Sequence, residues 1–264
     1  MNPQVDFTHR SKASDSHNHP SSPEGIQTRS TPRQYWLATL AAGCLLAGVA
    51  TASAASARSI STAGLLEEMT SLAGMAEFPS PAYTCKQFSS YDRKSKSPQE
   101  EWFANADVGQ YLRVEEREGR KEFVMMDAAG PGAIVRIWSA NPAGTLRIYL
   151  DGSNQPVLQA PMSELLGGKF PGLPQPIAGE YSKGWNLYFP IPYARTCKVT
   201  SDKGNFYYHV NYRTYEAGTQ VESFHTDQIK ALAARLEKLG ARLAAPRGDD
   251  TELGGETQPF DLEL

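Results

Sequence analysis

A chain of 264 residues, 40% apolar, is long enough to bury one sizeable core, and its 26 basic against 29 acidic residues leave a net charge of −3. That balance supplies no basic patch able to track phosphates, so nucleic acid is not an expected partner. The three cysteines form no CxxC pair and no Cys/His cluster, so no metal site and no cofactor are expected.

Residues 1–33 are rich in Ser, Pro, His, Asn and Gln, with almost no large apolar groups. Such a leader cannot bury enough surface to offset its ordering entropy and reads as disordered. Residues 34–57 read as a signal peptide. Arg29 and Arg33 precede the apolar run Trp36–Ala50, and small-x-small sites follow between Ala50 and Ala57. The run is short for a spanning helix, which favours cleavage and an exported protein, periplasmic or extracellular. Membrane anchoring through 36–50 is the alternative, if the segment is retained.

Residues 58–81 read as a helical lead-in, with one short amphipathic helix over Ser61–Phe78 ending before Pro79. Across 82–222 the texture changes to short alternating runs broken by Gly, Pro, Asn and Asp. Examples are YTCKQFSS, EFVMMDA, AIVRIWS, TLRIYLD and FYYHVNYRTY. That density of strands predicts an all-β fold, a single jelly-roll-type β-sandwich with flanking short helices. Within it, RIWSANPAGTLRIYLDG (Arg136–Gly152) reads as a hairpin, with Arg136, Trp138, Arg147, Tyr149 and Asp151 at alternating positions. Residues 226–244 read as an amphipathic helix. Ile229, Leu232, Leu236 and Leu239 lie at helical spacing, Thr226 or Asp227 is the cap, and Gly240 marks a break. The acidic, Gly-rich residues 245–264 read as a disordered tail.

Candidate chemistry is sparse. No G-x-S-x-G elbow presents a serine, and past residue 57 only His209 and His225 remain. His209 reads as a surface or groove histidine, and GPG at Gly130–Gly132 as a tight turn. Among carboxylates, Glu164 in APMSELLGG sits between apolar neighbours, where burial would suit an acid, or else it caps or pairs locally. Asp151 before Gly152 reads as a turn residue. Tyr91, Trp102, Trp138, Tyr149, Trp185, Tyr188, Tyr207 and Tyr208 either stack on sugar rings or fill a sandwich core. Cys85 and Cys197 either pair as a disulfide or stay free.

The ordered motifs SSYDR (Ser89–Arg93), EWF (Glu101–Phe103), GPG followed by IVRIW, LRIYLDG, APMSELLG, GWNLYFPIPY (Gly184–Tyr193) and FYYHVNY resemble glycoside hydrolase family 172, once catalogued as a domain of unknown function. The resemblance covers about Gln87–Tyr215. It implies the first of two jelly rolls, assembly as a trimer-based homo-oligomer, and retaining exo-action on fructofuranosyl or arabinofuranosyl groups. The family's catalytic glutamates belong to the second roll, in motifs resembling EGDE and GTGTEDYF, which this sequence lacks, so no catalytic residue is assigned. Carbohydrate is the implied partner, and the implied sugar contacts are Tyr91, Asp92, Trp102, Trp138, Trp185, Asn186 and Tyr188, with Glu164 added from its own setting. Three readings stay open: a single-roll protein acting on furanosyl glycans with carboxylates from another chain, a non-catalytic binding or assembly module, and a fragment of a longer enzyme.

Overall fold

The computed structural model describes residues 59–100 and 102–245, so the expectations for the leader, the apolar segment, Glu101 and the acidic tail lie outside the described residues. In chain order the elements are α1 (Thr62–Glu68), α2 (Leu72–Met75), β1 (Tyr83–Ser89), β2 (Arg113–Arg117), β3 (Arg120–Ala129), β4 (Gly132–Ala140), β5 (Thr145–Leu150), β6 (Leu158–Pro161), α3 (Met162–Leu166), β7 (Ala178–Tyr181), β8 (Gly184–Leu187), β9 (Ile191–Tyr193), β10 (Thr196–Ser201), β11 (Tyr207–Tyr215), α4 (Asp227–Ala231) and α5 (Ala233–Ala244).

The strands form two antiparallel sheets. Sheet 1 runs β1-β11-β4-β8-β7, with β9 also on β4, and sheet 2 runs β2-β3-β10-β5-β6. Their pairings nest: β1 with β11, β3 with β10, β4 with β9 and β5 with β6. Successive pairs alternate between the sheets, as one long hairpin does when it rolls over itself. That is jelly-roll topology in a β-sandwich. Two-residue periodicity builds it: in β11, Tyr208, Val210 and Tyr212 point inward while Tyr207, His209 and Asn211 point outward. The inward rows interlock with Met125, Met126, Ile134, Ile137, Ile148 and Val199 in one dry core. A smaller cluster of Ile60, Leu65, Ala133 and Tyr215 seats α1 against one end of sheet 1.

Several elements depart from the sequence reading. Ser61–Phe78 is two helices, because Ser71 caps a new one by accepting a bond from the Gly74 N–H at 3.0 Å. The C-terminal helix breaks at Leu232, not at Gly240, which lies inside α5 and packs closely on the Gln175 carbonyl. The stretch Arg136–Gly152 is not a hairpin. Both edges of β4 are taken, by β11 on one side and by β8 and β9 on the other. The NPAG link therefore carries β5 across to sheet 2, turning through left-handed Asn141 and Gly144. Loop length does not distinguish these outcomes; distant partners decide them.

The cysteines are unpaired. Cys85 is exposed on β1 of sheet 1, and Cys197 is buried in β10 of sheet 2, where burial pushes its thiol pKa well up. Two thiols on different sheets, one facing solvent and one facing the core, leave no disulfide between them.

Candidate functional site

The outer face of sheet 1 gathers the largest share of the candidate residues, and a β-bulge makes it so. Along β4, Ile134 faces the core opposite Tyr212, and strict alternation would send Arg136 and Trp138 inward after it. The register instead shifts between Asn211 and Tyr212, leaving Val135 as the extra residue. Arg136 and Trp138 thereby turn outward, a common use of a bulge.

Trp138 then stands opposite His209 on one neighbouring strand and Asn186 on the other. The indole and imidazole lie 4.7 Å apart, tilted by 32°. The β7–β8 turn holds the indole's other side: a Cβ on Gly184 would stand 2.5 Å from Trp138 Nε1, so only glycine leaves the ring its place. Beside Trp138, Arg136 donates to Asn186 Oδ1 at 3.1 Å and to Asn211 Oδ1 at 3.3 Å. Tyr188 donates from its hydroxyl to the same Asn186 Oδ1 at 3.3 Å, with the guanidinium 5.9 Å from its ring centre. Gln87 extends the row by accepting from Asn211 Nδ2. Tyr181 and Tyr207, both exposed, flank this group on β7 and β11.

The strands give this face no carboxylate. At its far end Arg213 pairs with Glu68 of α1 at 2.6 Å, beneath the helix. His209 is half-buried, and burial first, then the Arg136 charge, hold its pKa below the ordinary imidazole value. It is therefore neutral at pH 7. The arrangement offers a flat aromatic platform, amide and guanidinium donors and a neutral histidine. It is suited to holding a ring and its hydroxyls, not to proton transfer.

The other expected contacts lie elsewhere. Trp185 sits opposite Ser139 and packs against the core, on the other side of sheet 1 from Trp138. Glu164 is exposed on α3, whose Met162, Leu165 and Leu166 point into the core. The burial that would suit an acid is absent, because helical spacing turns it away from its apolar neighbours. Tyr91 follows two residues after Ser89, the register partner of His209, so it emerges at that end of the face and is 53% exposed under Arg93. Trp102 is 52% exposed and meets the edge of Phe103. Asp92 is buried and ties the loop: its carboxylate accepts from the backbone N–H of Lys94 at 3.0 Å and of Ala106 at 2.9 Å, which lower its pKa. Such a carboxylate organises a loop and does not face a ligand. Arg136, His209, Asn211 and Tyr181 were not assigned from the motifs. The alternation in FYYHVNY places His209 and Asn211 on one face, while the bulge that exposes Arg136 has no sequence signal.

Sheet 2 also carries polar groups on its outer face, and there they are saturated. Glu115 and Glu122 are cross-strand partners, the only close carboxylate pair in register among the described residues. Glu122 is fully buried and accepts from Tyr149 Oη at 2.9 Å, Thr200 Oγ1 at 2.9 Å and Arg120 Nε at 2.8 Å. Glu115 accepts from Lys198 and Arg113, and Arg147 pairs with Asp202 at 3.1 Å. Arg117 and Lys198 roof the Tyr149 ring, whose pKa is raised by burial and by Glu122. Both carboxylates of this pair are thus engaged in ion pairs and hydrogen bonds within the sheet. Asp151 likewise bonds inside the fold, to the Arg195 and Thr196 N–H groups and to Ser223, and not to its own turn. Among the described residues no cluster of three or more His, Cys, Asp or Glu side chains could hold a metal.

Comparison with known proteins agrees with this architecture. A search of curated proteins gave no match. A protein-family model described as the GH172 first beta-sandwich domain matches residues 81–232, more than half of the chain and the whole span from β1 to α4. With the nested strands, the two antiparallel sheets and the ordered motifs all falling inside that match, the chain belongs to glycoside hydrolase family 172 and carries its first β-sandwich domain.

Proposed function

We propose that this domain binds a furanosyl-containing glycan on the outer face of sheet 1 and serves a family 172 furanosidase as its substrate-holding sandwich. The hydrolytic carboxylates come from outside this face. Trp138 is the stacking platform, Arg136 and Tyr188 fix ring hydroxyls, buried Asn186 accepts from both and holds them in place, and Tyr91 borders the site. The observation carrying this reading is the convergence of Trp138, Asn186 and Tyr188, expected separately, on one open face that lacks any strand carboxylate. Titration of the chain with arabinofuranosyl and fructofuranosyl oligosaccharides, followed by tryptophan fluorescence, tests it. Saturable quenching lost in Trp138→Ala is expected, with affinity falling at least tenfold. Retained affinity in that variant would refute the assignment.

Assembly is a second reading, favoured by the loop that follows β1, where Phe103 is 87% exposed beside Trp102. A soluble monomer rarely leaves such a pair in water without a partner. The partner here is a further copy of the chain in a trimer-based oligomer. Light scattering of wild type and Phe103→Asp tests this, the expected outcome being a trimeric mass reduced to monomer. Export of the protein, periplasmic or extracellular, fits a role on external glycans, and cell fractionation checks it.

A further inference from the structure

Five cations of the sandwich strands are ion-paired, whereas Arg117 and Arg136, both half-buried, are not; Arg117 reaches Asn154 Oδ1 and the Tyr149 ring on sheet 2, and Arg136 lies beside Trp138 on sheet 1. Arg113, Arg120, Arg147, Lys198 and Arg213 each meet a carboxylate within 3.1 Å. Arg136 meets none. Its partners are two amide oxygens and the Tyr188 ring, all formally neutral. Only two of a guanidinium's five N–H donors are used in this way. The remaining donors belong to a charge partly withdrawn from water, beside an aromatic platform, on a face whose strands supply no anion. Such a group attracts an oxyanion more strongly than a hydroxyl, and its planar fork matches phosphate or carboxylate geometry.

We infer that the sheet 1 face takes a furanosyl glycan bearing an anionic substituent, a phosphate or a carboxylate, with Arg136 opposite that group and Trp138 under the sugar. This rests on the sugar-binding reading of the same face and adds the charge of the ligand. Asn186 and Asn211 hold the guanidinium from both sides, so it is oriented before the ligand arrives. Neutral His209 next to it takes a hydroxyl without adding a second charge.

The test uses the full chain and two arabinofuranosyl oligosaccharides of equal length, one neutral and one carrying a terminal 5-phosphate, with inorganic phosphate as a third probe. Binding is read from the Trp138 indole N–H in nuclear magnetic resonance spectra at two salt concentrations. Both sugars should shift that signal. The phosphorylated one should bind about tenfold tighter at low salt, and the advantage should shrink as salt rises. Arg136→Gln should weaken the phosphorylated sugar far more than the neutral one and so abolish the preference, and Arg136→Lys should keep part of it, which separates charge from loss of folding. Equal affinities in wild type, or a preference surviving Arg136→Gln, would overturn the anion assignment while the sugar site stood. Inorganic phosphate binding as tightly as the phosphorylated sugar would overturn it too, since the site would then be selecting the ion alone. If neither sugar binds, the sugar reading itself falls, and this inference with it.

Discussion

On the outer face of sheet 2, Glu115, Glu122, Asp127 and Asp202 each meet a guanidinium or an ammonium within 3.1 Å. On the outer face of sheet 1, Arg136 reaches only the amide oxygens of Asn186 and Asn211. Both faces are made of strands with polar residues at every second position, and both carry tyrosines and arginines. What separates them is which strands lie side by side. Sheet 2 places β2 and β3, with their alternating charges, against Lys198 and Arg147, so Glu115, Glu122, Asp127 and Asp202 each find a cation. Sheet 1 places arginine between asparagines. A saturated lattice holds a sheet together; an unsaturated row beside a half-buried indole has bonding capacity left for a ligand.

The sharpest way to break the comparison is Glu122→Ala. If the sheet 2 network is structural, the loss leaves Arg120, Tyr149 and Thr200 without their shared acceptor. Stability should then fall by about 3 kcal/mol, as for a buried charge pair deprived of one partner. Urea denaturation measures this, and glycan affinity of the folded protein should stay unchanged. A stable variant with impaired sugar binding would reverse the roles of the two faces.

The sequence made the fold class legible and the site only in part, for reasons visible in particular residues. Alternation in FYYHVNY and Gly-containing turns such as Arg117–Arg120 are local signals, and the β2–β3 hairpin follows from left-handed Glu118 and Gly119. The NPAG link has the same local chemistry, yet its strands part to different sheets because β4 is already paired on both edges. Strand β7 carries no local signal, since AGEY is short and only its pairing with β8 makes it a strand. At the site, Trp138, Asn186 and Tyr188 converge, whereas Trp185, one residue from Asn186, faces the other way. A motif names neighbours in sequence; the pleat assigns them to opposite faces. Asp92 enters through its motif and Glu164 through its apolar neighbours in sequence, yet their surroundings give the first a loop to tie and the second open solvent.

A smaller effect sharpens the same contrast. Gly184→Ala puts a methyl 2.5 Å from Trp138 Nε1, so the indole must move off the turn. Overpacking of this kind costs about 1 kcal/mol at a site that yields by moving one side chain. The expected result is a small shift in the denaturation midpoint with sugar affinity reduced about fivefold, read by fluorescence titration. The same substitution at Gly152, where a Cβ meets nothing within 4 Å but φ is +81°, should cost stability through backbone strain and leave affinity alone. If the two variants bind sugar equally well, Trp138 is not the platform.

The smallest effect concerns charge on the sheet 1 face alone. His209 has its pKa lowered, by burial first and by Arg136 second. The unfolded chain takes up this proton near pH 6.5, and the folded one only at lower pH. Stability from this group is therefore complete above pH 6.5 and is lost as pH falls from there toward the folded value, because the unfolded state then binds more protons. Titration of the His209 ring by nuclear magnetic resonance should give a midpoint below 6.5 in the wild type. In Arg136→Gln it should rise but stop short of the ordinary value, since burial remains. Glu122→Gln, on the far sheet, should leave it where it was. A midpoint indifferent to Arg136 would mean that solvent already neutralises the guanidinium's field, and the contrast between an open cation on sheet 1 and a closed lattice on sheet 2 would lose its electrostatic half.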